Sequence, residues 1–252
     1  MFNSFGLDMF VMRKKKSSYI TAVLIFATAI LFCLVYKFSA AAQAAERPAT
    51  FMDVLNDSLH LSFMFFGIFY VMFLGSDIKD GYIKNIAGSV KSRMGYLLSK
   101  QAALAVYTLI SIAITAAGAF VFSALMLDGA AEGFEVMTFL KYIVTVFILF
   151  MGFSSLISFC VFFLRGTTVA MIFSVIISGY ILNNSIYRLI EMLLNKFKIN
   201  FDLAYISVSK QMIALDIGSS DKAMFTACAV GLGYIAVFGL LGNLVLNKKD
   251  IA

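Results

Sequence analysis

The sequence predicts an all-α polytopic membrane protein, and three observations carry that prediction. Of 252 residues, 62% are hydrophobic and only 13% are charged, against about 45–50% and about 25% in an ordinary soluble domain. A soluble core of this size could not bury that much apolar surface, and the same numbers exclude disorder. The apolar residues fall in long continuous runs rather than in the roughly ten-residue alternating stretches of a membrane β-barrel. A single Pro beside 27 Phe suits long uninterrupted helices.

A hydrocarbon core of about 30 Å needs about 20 helical residues, and six segments qualify within one transmembrane domain over residues 1–252. Residues 2–12 come first, with Phe2, Phe5, Met9 and Met12 ahead of the basic run Arg13-Lys14-Lys15-Lys16. They read as a short interfacial helix. The first span, 19–38, is longer than a signal-peptide apolar region and is expected to be retained. The second covers 58–75, the third 101–127, the fourth 142–164, the fifth and shortest 167–182, and the sixth 223–246. Between spans five and six, Ile186, Leu189, Ile190, Leu193, Leu194 and Phe197 recur at helical spacing opposite Arg188, Glu191, Asn195, Lys196 and Lys198. That pattern predicts amphipathic helices on the outer face.

Orientation follows from Lys and Arg. With the N-terminus inside, the inner segments 1–18, 76–100, 165–166 and 247–252 hold twelve basic residues and four acidic ones (Asp8, Asp77, Asp80, Asp250). The other side and its helix edges hold eight basic and ten acidic residues. Both termini are therefore expected to be cytoplasmic. The net charge of +6 is a topology signal; no soluble basic domain exists to bind nucleic acid.

Absent motifs narrow the chemistry. The interior of every span is free of Asp, Glu, Lys and Arg, and His60 is the only His, so no mid-membrane proton or ion relay is expected. No HExxH, GxSxG or GxxxxGK[ST] motif occurs, and Cys33, Cys160 and Cys228 form no CxxC or Cys/His cluster. No catalytic residue, metal site or resident cofactor is expected. If the bundle does work, its energy comes from a partner through the inner loop, the largest element on that side.

That loop carries a resemblance. Phe73-Leu74-Gly75-Ser76-Asp77, then Gly81-Tyr82-Ile83-Lys84-Asn85-Ile86, then Ser92-Arg93 and Tyr96-Leu97-Leu98-Ser99-Lys100, resemble the loop between the second and third helices of ABC-2-type transporter permeases. The layout is also similar: an interfacial N-terminal helix, six spans, cytoplasmic ends and a longer outer stretch before the last span. The nearest likeness is to small permeases of bacterial peptide and lantibiotic (antimicrobial peptide) export or immunity systems. Where the family often has Glu, this chain has Asp77.

The resemblance implies a permease subunit of an ATP-driven exporter in the bacterial cytoplasmic membrane. Ile83, Lys84, Asn85 and Ile86, introduced by Asp77 and Gly81, would form a cytoplasmic coupling helix seated on a separate ABC nucleotide-binding subunit. Arg93, Tyr96 and Lys100 would begin the connection into span three. ATP and Mg would sit on that partner, and a second permease chain, identical or not, would complete the assembly. The competing reading of the loop is a solvated basic segment obeying the positive-inside rule. Phe66, Phe69, Tyr70 and Phe73 share one face of span two. They are a candidate wall for a hydrophobic or amphipathic substrate, expected to be a peptide, or else bundle packing and lipid contact. Small-residue stripes at Ser111, Thr115, Ala119 and Ser123, and at Ala170, Ser174 and Ser178, allow close helix approach, expected chiefly inside one subunit. A stand-alone channel and a non-transporting membrane sensor are the alternatives to an exporter.

Overall fold

The computed structural model describes residues 2–39, 49–79, 93–127, 135–164, 166–179 and 206–248, together with 185, 188–193 and 196. Among the described residues eight helices have defined bounds, and no strand occurs. They are α1 (Phe2–Lys14), α2 (Lys16–Phe38), α3 (Phe51–Lys79), α4 (Arg93–Met126), α5 (Val136–Leu164), α6 (Thr167–Ser178), α7 (Val208–Ala214) and α8 (Asp221–Lys248). Five of these, α2, α3, α4, α5 and α8, are long and apolar enough to cross a membrane.

The helices outrun the predicted spans. α3 has 29 residues and α4 has 34, about 43 and 51 Å of helix, well beyond a hydrocarbon core of about 30 Å. Nothing in the sequence stops them at the edge of the apolar run, because the lone Pro, Pro48, precedes α3. The start of α3 is instead set by reciprocal capping. Asp53 accepts from the Thr50 backbone N–H at 2.8 Å and its hydroxyl at 2.9 Å, and the Asp53 N–H faces Thr50 Oγ1 at 3.4 Å. This is a capping box with Asp in the third helical position. The expectation of charge-free spans fails at Lys37 in the last turn of α2, and it fails again for the lengthened helices. α3 carries Asp53, Asp57 and Asp77, and α4 carries Lys100.

The fifth predicted span is a helix of only 12 residues, about 18 Å long; the predicted 180–182 lie outside the described residues. α6 follows α5 after Gly166, whose backbone is extended (φ −130°, ψ 118°), and packs on α3. Gly67 and Gly75 have no Cβ because one there would overlap Ser174 Oγ and the Thr167 methyl. The two helices are therefore antiparallel, with Thr167 beside Gly75 and Ser174 beside Gly67. Of the predicted outer amphipathic stretch, residues 188–193 are helical, and Leu189, Ile190, Met192 and Leu193 are exposed. α7, by contrast, buries Val208 and Met212 against the bundle. Ser207 caps it by accepting from the Lys210 N–H at 3.3 Å.

α3 is the central column, touching α2, α4, α5 and α6. Its two ends fix the directions of the other helices. At the capped end Tyr36 donates to Asp57 (2.7 Å) and Tyr142 donates to Asn56 (2.7 Å). At the other end, where the basic run Arg13 to Lys16 lies, Lys15 donates to Ser76. α8 lies along α5, with Gly152 and Gly231 in backbone contact: a Cβ on Gly152 would come within 2.8 Å of the Gly231 carbonyl. It starts where Lys141 pairs with Asp221 at 2.7 Å and ends where Gly242 approaches Leu97. Small residues make such approaches possible. The stripes at Ser111, Thr115, Ala119 and Ser123 and at Ala170, Ser174 and Ser178 are all buried inside this one subunit.

Candidate functional site

The candidate site lies at the basic end, where the backbone leaves α3 and returns in α4. Helical periodicity places Phe73 and Asp77 on one face of α3, Tyr96 and Lys100 on one face of α4, and Asp8 and Met12 on one face of α1. These faces converge. Lys100 is 1% exposed, Asp8 3% and Asp77 6%. The Lys100 ammonium lies 2.7 Å from Asp8 Oδ1 and 2.7 Å from Asp77 Oδ2.

The surrounding groups complete the carboxylates' hydrogen bonding. Tyr96 donates its hydroxyl to Asp77 Oδ2 at 2.6 Å, and Ser99 donates to Asp8 Oδ2. Ser76 faces Asp77 Oδ1 at 3.4 Å while donating to the Phe73 carbonyl at 2.8 Å. The Phe73 ring is shared by two cations, with Lys100 at 4.6 Å from its centroid and Lys15 at 5.5 Å, a separation at which the ring quadrupole attracts both.

The net charge of Asp8, Asp77, Lys100 and Lys15 is zero. A buried ion is tolerated only when it is paired and hydrogen-bonded, and this cluster meets both conditions. Its physical effect is mechanical. The cluster ties α1 to the ends of α3 and α4 that flank residues 80–92, so all three helices share one set of ion pairs and hydrogen bonds.

Of the residues singled out from the sequence, the structure brings Asp77, Tyr96 and Lys100 into direct contact. Arg93 opens α4. Gly81, Ile83, Lys84, Asn85 and Ile86 lie outside the described residues. Asp8 was missed as a site residue, and Ser99 stood only as part of the motif around Tyr96 and Lys100. Asp8 entered only as one of four inner acidic residues, and its sole sequence signal was an acidic side chain on the face of α1 that also carries Met12.

Phe66, Phe69, Tyr70 and Phe73 are 0% exposed. Phe66 meets Phe150 edge-on at 4.5 Å and Phe69 stacks on Tyr107 at 4.1 Å. The Tyr70 hydroxyl pairs with Thr108 Oγ1 at 2.6 Å, and Phe73 lies under the two lysines. In this arrangement protein, not open space, fills the aromatic face of α3. At the capped end His60 Nε2 lies 3.1 Å from the Leu215 carbonyl oxygen. Because a carbonyl can only accept, that nitrogen carries the proton, and the contact ties the segment after α7 to α3. No group of three or more metal-ligating side chains occurs among the described residues. Compared with known proteins, the chain matches no family model and no curated protein.

Proposed function

We propose that this chain is the transmembrane permease subunit of an ATP-driven ABC exporter that moves a hydrophobic or amphipathic substrate, a peptide by preference. The observation that supports this reading best is the Asp8–Lys100–Asp77 cluster. A partner that pushes on residues 80–92 can drive the spans only if both flanking helix ends are rigidly joined, and this cluster joins them. Force applied to a short helix formed by Ile83, Lys84, Asn85 and Ile86 would then reach α3, α4 and α1 as one body, the kind of rigid tilt that opens one side of a bundle.

In this reading the chain crosses the membrane six times. Thr167 starts α6 at the basic end beside Gly75, whereas Leu215 is bound at the capped end by His60. The backbone therefore passes from one end to the other between them, α6 supplying about 18 Å of the path. α8 then returns to the basic end. The start of α1 and the end of α8 then lie on the basic side, which the positive-inside rule makes cytoplasmic. A nucleotide-binding subunit and a second permease chain complete the proposed assembly in a bacterial cytoplasmic membrane, with ATP and Mg held by the partner.

The test is reconstitution. The purified chain alone should hydrolyse no ATP, and proteoliposomes that also contain its co-purifying ABC ATPase should hydrolyse ATP faster when an amphipathic peptide is added. Lys84→Glu combined with Asn85→Glu should abolish assembly or peptide stimulation while leaving the permease folded. Intact stimulation in that double variant would reject the coupling assignment. Nucleotide-independent flux through the chain alone would make it a channel, and assembly without flux would make it a sensor.

A further inference from the structure

A concave surface of about 610 Å³ opens between α1, α2 and α4 at the basic end, within the roughly 300–1,000 Å³ range of ligand-sized pockets. Its walls are Met9 and Phe10 of α1, Ala22 of α2, and Tyr107, Ile110 and Ile114 of α4. The polar groups that border it are already committed. Ser18 donates to the Met12 carbonyl at 2.7 Å, Tyr19 to the Arg13 carbonyl at 2.8 Å, and Tyr107 to the Ser18 carbonyl at 2.9 Å. The groove therefore offers no free hydroxyl proton to an occupant.

Its rim is cationic. Arg13 lines the groove, and Arg13, Lys14 and Lys16 are all exposed. Among the described residues none of the three has a carboxylate partner. Lys14 instead lies 5.7 Å from the Phe10 ring centroid.

We propose that this groove binds one anionic phospholipid, with an acyl chain between α1, α2 and α4 and the headgroup phosphate on Arg13. The chemistry selects that occupant in two ways. A peptide would bring a run of backbone amides that each need a partner in an apolar surrounding, and along its walls this groove supplies no free hydroxyl for them, whereas an acyl chain needs none. A zwitterionic lipid would fill the groove equally well but would leave Arg13, the cation that lines it, without a net negative partner. Basic residues near a membrane surface favour anionic lipids by about 1 kcal/mol each, or about five-fold per charge. The inference rests on the helices lying in a bilayer and not on the exporter reading.

Native mass spectrometry of the full chain in a neutral detergent tests it, with phosphatidylglycerol and phosphatidylcholine of identical acyl chains as probes. The parent should retain one phosphatidylglycerol in preference to phosphatidylcholine. Arg13→Gln should lower that preference about five-fold, and Arg13→Lys should keep it. Ala22→Phe, which fills the groove, should remove the adduct of either lipid. Ile114→Phe fills it from another helix and serves if Ala22→Phe fails to give a monodisperse, helical protein. Equal retention of the two lipids, survival of the adduct in both filled variants, or displacement of phosphatidylglycerol by an amphipathic peptide would each overturn the assignment.

Discussion

Replacing Lys100 by Met keeps the length and apolar stem of the side chain and removes only the ammonium. Asp8 and Asp77 then face each other with no cation between them, at 3% and 6% exposure. Removing one partner of a buried ion pair costs about 3–5 kcal/mol. Here a single residue serves two carboxylates at 2.7 Å each, so the upper part of that range applies. Against a total stability of roughly 5–15 kcal/mol the loss is severe. At about 2–4 °C per kcal/mol for a chain of this size, a loss of about 4–5 kcal/mol should lower the apparent Tm in detergent by about 8–20 °C. The damage comes from unpaired charge and not from lost packing, so a compensated variant discriminates between the two. Asp8→Asn, Asp77→Asn and Lys100→Met together remove every charge of the triad, and that triple variant should recover most of the lost Tm. The assay is thermal unfolding followed by tryptophan-independent far-UV circular dichroism, since the chain has no Trp. A Lys100→Met variant that melts with the parent, or a triple variant no better than the single one, would refute the account of the cluster.

Two further predictions address the architecture. Thr145 Oγ1 lies 3.5 Å from Cys228 Sγ, so Thr145→Cys should form an α5–α8 disulfide on mild oxidation, seen as a faster-migrating band without reductant. Adding Gly152→Val, whose side chain meets the Gly231 backbone, should suppress that band and destabilise the protein by about 1–3 kcal/mol. The six-crossing path predicts that single cysteines placed at Ser4 and Asn247, in a chain lacking its own three, react with an impermeant thiol reagent from the same side of sealed vesicles. A cysteine at Ser219 should react from the other side, and labelling of Ser4 and Asn247 from opposite sides would leave only five crossings.

Much of the bundle could be read from residue pattern alone, because apolar runs longer than twenty residues have few other uses. The helix ends could not. A helix continues past the apolar run until a cap, a Gly turn or a Pro stops it, and the Thr50/Asp53 box and Gly166 act locally, outside any hydropathy window. This is why α3 and α4 exceeded the predicted spans and why Lys100 fell inside a helix. The twelve residues of α6 are apolar enough to suggest a span, yet the helix ends where the backbone turns extended at Gly179, a local break that a hydropathy window does not register. In the candidate site, Asp77, Tyr96 and Lys100 stood out through motif order. Asp8 did not, since its role depends on a contact with Ser99, 91 residues further along the chain. The buried fate of Phe66, Phe69, Tyr70 and Phe73 was equally hidden, because an aromatic stripe looks the same whether it faces a neighbouring helix, lipid or substrate.

The position of Asp8 also orders the assembly of the protein in time. During synthesis α1 emerges before α3 and α4, and the partners that hold its carboxylate in the bundle, Ser99 and Lys100, are made only later. Before that, burying Asp8 is prohibitively costly, so α1 stays undocked in water or at the headgroup layer. Once the hairpin of α3 and α4 is inserted, Lys100 recruits Asp77 and Asp8 together, and α1 swings onto the bundle. A segment made before the hairpin thus settles after it. Its docking reports that the second and third long helices have been inserted in register.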